Sequence, residues 1–440
     1  MARTSLIAAA LGVLVALPAA IYQLEIHTSV IYLKGIGHTF EPLSAFPYKC
    51  RRIEHPRLQA CEDMWLSEAT RQLFLACSDS SQRQHWMPTM GRFNVSARSV
   101  QDAIVAVDID EHTSSGSTFP VRVLATPNYA GIPGDEGRMY PLSLSGVDDA
   151  DGSVRLWVVN SSPSADHTTG KLLDQAKVGG NLTVEVFRTG PKSESLDHIY
   201  TFSHSGLVTP NRVAPVGDET NDFWFTNDHG KYKTGLKNAL SGPLGWGDVS
   251  HCTESTCRTI IPGHKFPNGI AHNRGPRGDG LVYVPSSLLG RVYVYKPVTM
   301  TTSSDTATTA AKGDLELVAT LEAGFSLDNI TPDREGDLYI AAFPRTADLL
   351  AAYEDPYHSF PATAAVRIRH RRKTTHGRAA AGQQEEQRQE FEVTKIIEDG
   401  KGGEAEVLPG STSVLHDAAT GRLFFSSVIS PFIGVCEPIA

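Results

Sequence analysis

Three absences narrow the field. Basic residues are not in excess: the 440 residues carry 40 Lys and Arg against 49 Asp and Glu, a net charge of -9. No basic face with interleaved aromatics occurs, so no nucleic-acid partner is expected. Cysteine is scarce, at six, and no two stand in the C-x-x-C spacing of a zinc site. Apolar runs of membrane-spanning length are missing too. The run from Leu6 to Ala20 falls short of the roughly 20 residues a spanning helix needs. With Arg3 before it, the run reads as a secretory signal over residues 1–21. Pro18-Ala19-Ala20 is a poor cleavage site, which leaves an uncleaved anchor, and so membrane association, as the alternative. Either way the chain enters the secretory route and is secreted or anchored outside the cytoplasm.

What is present is apolar sequence in short pieces. Hydrophobic residues make up 40% and charged residues 20%, with 38 glycines and 26 prolines spread among them. That is the composition of many short strands joined by turns. One unit repeats: Leu73–Ser78, Val154–Asn160, Phe223–Asn227, Leu281–Ser286, Leu338–Ala342 and Leu423–Ser427 are apolar strands that end on small or polar residues. Turns such as Ala150-Asp-Gly-Ser, Gly278-Asp-Gly, Arg334-Glu-Gly-Asp and Ala419-Thr-Gly-Arg precede four of them. Degenerate units of this kind predict an all-β, six-bladed β-propeller filling residues 22–440. A β-sandwich or a pair of barrels is the competing architecture. Residues 367–390, with the basic cluster Arg369-His-Arg-Arg-Lys373 and few apolar positions, read as a disordered surface insertion.

The cysteines suit an oxidising compartment. Cys252 and Cys257 are close enough to close a small loop, Cys61 and Cys77 flank an apparent hairpin, and Cys50 and Cys436 remain near the two ends. A propeller must close its ring, and a Cys50–Cys436 link would staple the first strands to the last blade. Asn94, Asn160, Asn181 and Asn329 begin glycosylation sequons.

Polar corners recur just ahead of the strand pairs: Glu62-Asp63, Asn211, Asn268 in Phe266-Pro-Asn-Gly-Ile270, and Asp328-Asn329. Singly, each is what a turn looks like. In a propeller they would converge at one mouth of the central channel. Two carboxylates and three amides there would make an oxygen-only site suited to calcium.

This ordered set resembles the paraoxonase/arylesterase family. The likeness is carried by Cys50, Glu62-Asp63, Pro210-Asn-Arg-Val213, Phe225-Thr-Asn-Asp-His229, Phe266-Pro-Asn-Gly-Ile270, Asp328-Asn-Ile330 and Cys436-Glu. The resemblance implies a propeller holding two calcium ions and hydrolysing lactones and aryl esters. It implies that Glu62, Asn211, Asn268, Asp328 and Asn329 hold the catalytic ion, and that Cys50 pairs with Cys436. For a second, structural ion, Asp63 and a backbone carbonyl at about Leu144 match two ligands. Arg212 stands where the third, an Asp, is expected, and its own charge can replace a cation. One calcium is therefore expected, with a second as the alternative. Asn329 cannot be both a ligand and a glycan carrier, so its sequon should be unused.

The family's histidine pair is missing. Leu142 stands where the first is expected, and the second falls at about Ser161. His167 is near in sequence, and His229 matches a family histidine outside the pair. The candidate bases are Asp328, Glu62 and His229. A calcium-dependent hydrolase acting on a small lactone or ester is the leading expectation. A calcium-binding propeller without hydrolysis, serving as a binding or structural module, is the other. A strictosidine-synthase-like condensing propeller would not need the five-residue set.

Overall fold

The computed structural model describes residues 22, 25–112, 118–133, 135, 137–298, 313–372 and 389–439. The signal or anchor expected at residues 1–21 lies outside them. Among the described residues no helix is long and apolar enough to cross a membrane.

Six four-stranded antiparallel sheets form the blades. A first strand, β1 (Tyr48–Ile53), is set aside by the chain and used last. Blade one is β2 (Gln59–Ser67), β3 (Gln72–Ser78), β6 (Ala103–Asp108) and β7 (Val121–Val123). Between β3 and β6 lies a small hairpin, β4 (Trp86–Met87) with β5 (Arg92–Phe93). Blade two is β8 (Pro141–Asp148), β9 (Val154–Ser162), β10 (Asn181–Thr189) and β11 (Asp197–Phe202). Blade three is β12 (Pro210–Pro215), β13 (Phe223–Asn227), β14 (Gly247–Cys252) and β15 (Cys257–His264). Blade four is β16 (Ala271–His272), β17 (Val282–Ser286), β18 (Arg291–Pro297) and β19 (Leu315–Glu322). Blade five is β20 (Ser326–Pro332), β21 (Leu338–Phe343), β22 (Pro361–Arg372) and β23 (Gln389–Glu404). Blade six is β24 (Ser413–Asp417), β25 (Arg422–Ser426) and β26 (Ile433–Pro438), completed by β1.

The innermost strands β2, β8, β12, β16, β20 and β24 touch one another in sequence around the ring, with β24 returning to β2. The apolar runs that mark the repeat are the second strands. They are apolar throughout because both faces pack against neighbouring blades: Phe223, Trp224 and Phe225 are all buried. Ring closure is doubly secured. Strand β1 pairs with β26 with Cys50 opposite Cys436, and those two residues form a disulfide. Cys61–Cys77 and Cys252–Cys257 are the other two bonds.

The turns from first to second strand lie at the end of the channel away from the polar corners, and there the blades are tied by charge. Arg71 of blade one reaches Asp417 of blade six at 2.7 Å, and His416 of blade six reaches Asp333 of blade five at 2.8 Å. Gly336 needs to be glycine: its φ is 86°, and a Cβ would meet the Arg277 carbonyl at 2.4 Å.

The two edges of the segment read as an insertion over 367–390 are strand. Residues 367–372 continue β22 and pair with β23, which begins at Gln389. Within the basic cluster, Arg369, His370 and Arg371 pair inside the sheet or with preceding turns. Arg369 reaches Asp337 (2.5 Å) and His370 reaches Asp279 (2.9 Å). Residues 373–388 lie outside the described ones.

Candidate functional site

The polar corners sit on the innermost strands rather than ahead of them. Four of those strands slip register: β2 between Gln59 and Asp63, β8 between Pro141 and Ser143, β12 between Pro210 and Val213, and β20 between Leu327 and Ile330. The slipped residues include Glu62, Leu142, Asn211, Asp328 and Asn329. A bulge breaks the two-residue alternation and re-aims a side chain, here at the channel end. Blade four instead uses the short loop ahead of β16, where the Asn268 amide donates to the Pro285 carbonyl (2.9 Å).

These residues meet. A cavity of about 110 Å³ is lined by Glu62, Asn211, Asn268 and Asp328 on its polar side, and by Leu142, Phe343, Leu349, Tyr353 and Val428 on its apolar side. Asn329, fully buried, donates from Nδ2 to Glu62 Oε1 at 3.0 Å. The Asn268 side chain and the Asn329 backbone amide both bond to Asp328. Thr412 donates to the Glu62 carbonyl (2.8 Å), and Asn268 Nδ2 donates to Ser287 Oγ (3.1 Å).

Four buried oxygens in this cluster have no hydrogen-bond partner among the described residues: Glu62 Oε2, Asn211 Oδ1, Asn268 Oδ1 and Asn329 Oδ1. An unmet buried acceptor costs about 1–3 kcal/mol, so four in one cluster point to a missing partner. Burial raises Glu62 well above the usual carboxylate range, and the nearby Asp63 and Asp328 charges push it further. Burial, then Asp63, does the same to Asp328. A cation reverses both pressures. Among the described residues no three His, Cys, Asp or Glu gather as metal ligands. Two carboxylates and three amide oxygens are instead the donor set that a hard, oxygen-ligated divalent cation takes, and the residues present fit one.

The second-ion ligands do not fit. Leu144 gives its amide N–H to Asp63 Oδ2 (3.1 Å), where a metal would need a lone pair. The same oxygen accepts from Arg212 Nε at 2.8 Å, while Asp63 Oδ1 accepts from the Met64 amide (2.9 Å) and Ser413 Oγ (3.1 Å). Each carboxylate oxygen is engaged by two donors, which leaves no lone pair for a metal; burial raises the Asp63 pKa, and Arg212 is the largest influence opposing that rise.

Leu142 and Ser161 are both buried, and Leu142 forms part of the cavity's apolar wall. His167 is exposed on the surface. His229 is buried, with Nδ1 2.5 Å from Asp228 Oδ1, and it stacks over Phe266 at 6.2 Å. The two atoms meet as an ion pair without hydrogen-bond alignment. Burial pulls the imidazole's pKa down, but Asp228 more than reverses this and leaves it above the ordinary histidine value. Asp228 faces the inner cavity, and His229 lines a wider vestibule of about 440 Å³. Both spaces share Met90, Phe266, Ser326 and Leu350. Helices α1 (Ile26–Lys34), α2 (Gly235–Ser241) and α3 (Thr346–Ala352) bring Leu33, Ala239 and Leu350 to the vestibule.

Sequence reasoning missed Asp228 as a partner for His229. It also missed Thr412, Ser287 and Tyr353, single hydroxyls that no motif announces. Of the sequons, Asn94 is exposed and Asn181 half-buried. Asn160 is 1% exposed and holds Tyr129 Oη (2.9 Å) and the Tyr140 amide (2.8 Å), an arrangement that leaves its amide no path to a glycan in the folded chain.

A family model described as Arylesterase matches residues 103–376, more than half of the chain. The chain belongs to the arylesterase family. It is 29% identical over 212 residues to serum paraoxonase/arylesterase 1 of Homo sapiens, covering 48% of this chain and 50% of that one. It is also 29% identical over 237 residues to serum paraoxonase/arylesterase 2 of Gallus gallus, covering 53% and 56%. These matches span about half the length of the relatives. Among solved structures, a luciferin-regenerating enzyme aligns over 89% of this chain and 95% of its own, with 11% identity and a TM-score of 0.43.

Proposed function

We propose that this family member is a calcium-dependent hydrolase of lactones or aryl esters. The observation that carries the reading is the group of unpartnered buried oxygens on Glu62, Asn211, Asn268 and Asn329, gathered with Asp328. Those five residues would hold the ion, which when bound polarises an ester carbonyl and steadies the charge that forms on its oxygen. The apolar wall of Leu142, Phe343, Leu349 and Val428 orients the acyl portion and keeps bulk water out. Glu62 and Asp328, as ligands, are poorly placed to take protons. His229 is the group left to do so: with Nδ1 turned to Asp228, Nε2 can accept a proton from water. The disulfides and the serum relatives accord with work outside the cytoplasm.

The test is hydrolysis of a panel of aryl esters and aliphatic lactones, with and without a chelator. Loss of activity on chelation and its return with calcium are expected; activity indifferent to calcium removal defeats the proposal. A second reading, calcium binding without hydrolysis, is favoured by Leu142 and Ser161 standing at the positions of the family's histidines. It prevails if the folded chain binds calcium and hydrolyses nothing on the panel.

A further inference from the structure

Next along the chain from two cavity residues, five of the ring's blades meet on one ion pair. Asp63 and Arg212, whose side chains are 0% and 3% exposed, pair at 2.8 Å. Asp63 belongs to blade one. It accepts from Leu144 of blade two, Arg212 of blade three and Ser413 of blade six. Arg212 Nη1 continues to the Ile330 carbonyl of blade five. One carboxylate and one guanidinium thus join five of the six blades. Each partner is also the chain neighbour of a cavity residue: Asp63 follows Glu62, and Arg212 follows Asn211. Asn329 precedes Ile330 on β20, so that carbonyl contact reaches a third cavity-bearing bulge.

We propose that Arg212 is a built-in counter-ion that makes a second metal at the hub unnecessary and positions the bulges bearing Glu62, Asn211 and Asn329. A planar fork is needed for this. The guanidinium donates to Asp63 and to Ile330 in two directions, whereas a lysine ammonium would satisfy the charge but not both directions rigidly. The cavity's cation affinity is therefore set partly by a residue that never touches the cation, as outer-shell partners commonly set it. The positioning half of this inference rests on the calcium reading of the cavity; the counter-ion half does not.

The test uses the full chain and calcium itself. Wild type is expected to hold one calcium per chain. Arg212→Lys should fold, yet bind calcium about ten- to a hundredfold more weakly. Two ions per chain, or an unchanged calcium affinity in Arg212→Lys, overturns the proposal. Thermal unfolding in chelator reads the counter-ion separately. Arg212→Gln leaves a buried anion and should lower the midpoint by about 5 °C. Asp63→Asn leaves a buried cation and should lower it similarly. The double variant removes both charges and should lose clearly less than the sum of the two. Additive losses refute the counter-ion. A wild-type chain with no bound calcium, but with that non-additivity, defeats the cavity reading and leaves the counter-ion standing.

Discussion

Replacing Asp228 with asparagine isolates the proton-handling half of the proposed chemistry. The substitution keeps the shape and removes the charge that faces His229 Nδ1 at 2.5 Å. In the intact protein the carboxylate wins over burial and holds the imidazole above its ordinary value. A base must be neutral to accept a proton, so the wild-type rate should climb as pH rises through that raised value. In Asp228→Asn burial acts unopposed, and a buried histidine without a carboxylate falls below its ordinary pKa. The rising limb should therefore move to lower pH. The neutral fraction at pH 7 increases, yet the rate should still fall, because the ring loses the charge that steadies the imidazolium formed when it takes a proton. General-base catalysis is worth about 10²–10⁴-fold, or roughly 3–5 kcal/mol at 1.36 kcal/mol per decade. A loss in that range is expected for Asp228→Asn and for His229→Gln. The assay is kcat/KM for a chromogenic aryl ester from pH 5 to 9 at saturating calcium. Wild-type kcat/KM in both variants, with the inflection unmoved, would refute the assignment of His229.

Three further outcomes are expected. Glu62→Gln removes one of two ligand charges and should weaken calcium binding by at least about tenfold, read by titration calorimetry on the folded protein. Serine at both Cys50 and Cys436 opens a loop spanning 386 positions; the loop-entropy relation gives a loss of about 6 kcal/mol, measured by denaturant unfolding, and no change in midpoint would contradict it. Glycan mapping of protein from a secreting host should find sugar at Asn94 and none at buried Asn160 or Asn329; sugar at Asn329 would exclude it from the cation site.

Much of the fold is written plainly along the chain. The second strand of each blade is buried on both faces, so it appears as an uninterrupted apolar run that any local reading detects. Leu338–Phe343 and Phe223–Asn227 are of this kind. The first strands are harder. Ser326–Pro332 carries Asp328 and Asn329 in its middle and reads as a loop, although every residue but the last is buried. The strand edges of 367–390 were hidden for the opposite reason. A run of cations with few apolar neighbours suggests a solvated segment, but Arg369 and His370 are matched by Asp337 and Asp279, which lie 32 and 91 positions away. A charge run does not disclose its partners when they belong to another turn or another blade.

The same separation explains why the cavity residues were visible only as an ordered set. Four blades contribute one or two side chains each: Glu62 from the first, Asn211 from the third, Asn268 from the fourth, Asp328 and Asn329 from the fifth. No two blades share a stretch of sequence, so no compact motif can encode the cluster. What four of the blades do encode is a departure from strand alternation at the same end of the channel. A bulge in an isolated sheet would be a defect in pairing. Repeated on β2, β12 and β20, it turns three inner strands so that their polar groups face one point. The cluster therefore exists only while the ring is closed, and Arg212–Asp63 on one side and β1 with Cys50–Cys436 on the other are the two devices that keep it so. Loosening either should be felt first as lost cation affinity and only later as unfolding, because the bulges are held by contacts between blades rather than by their own sheets.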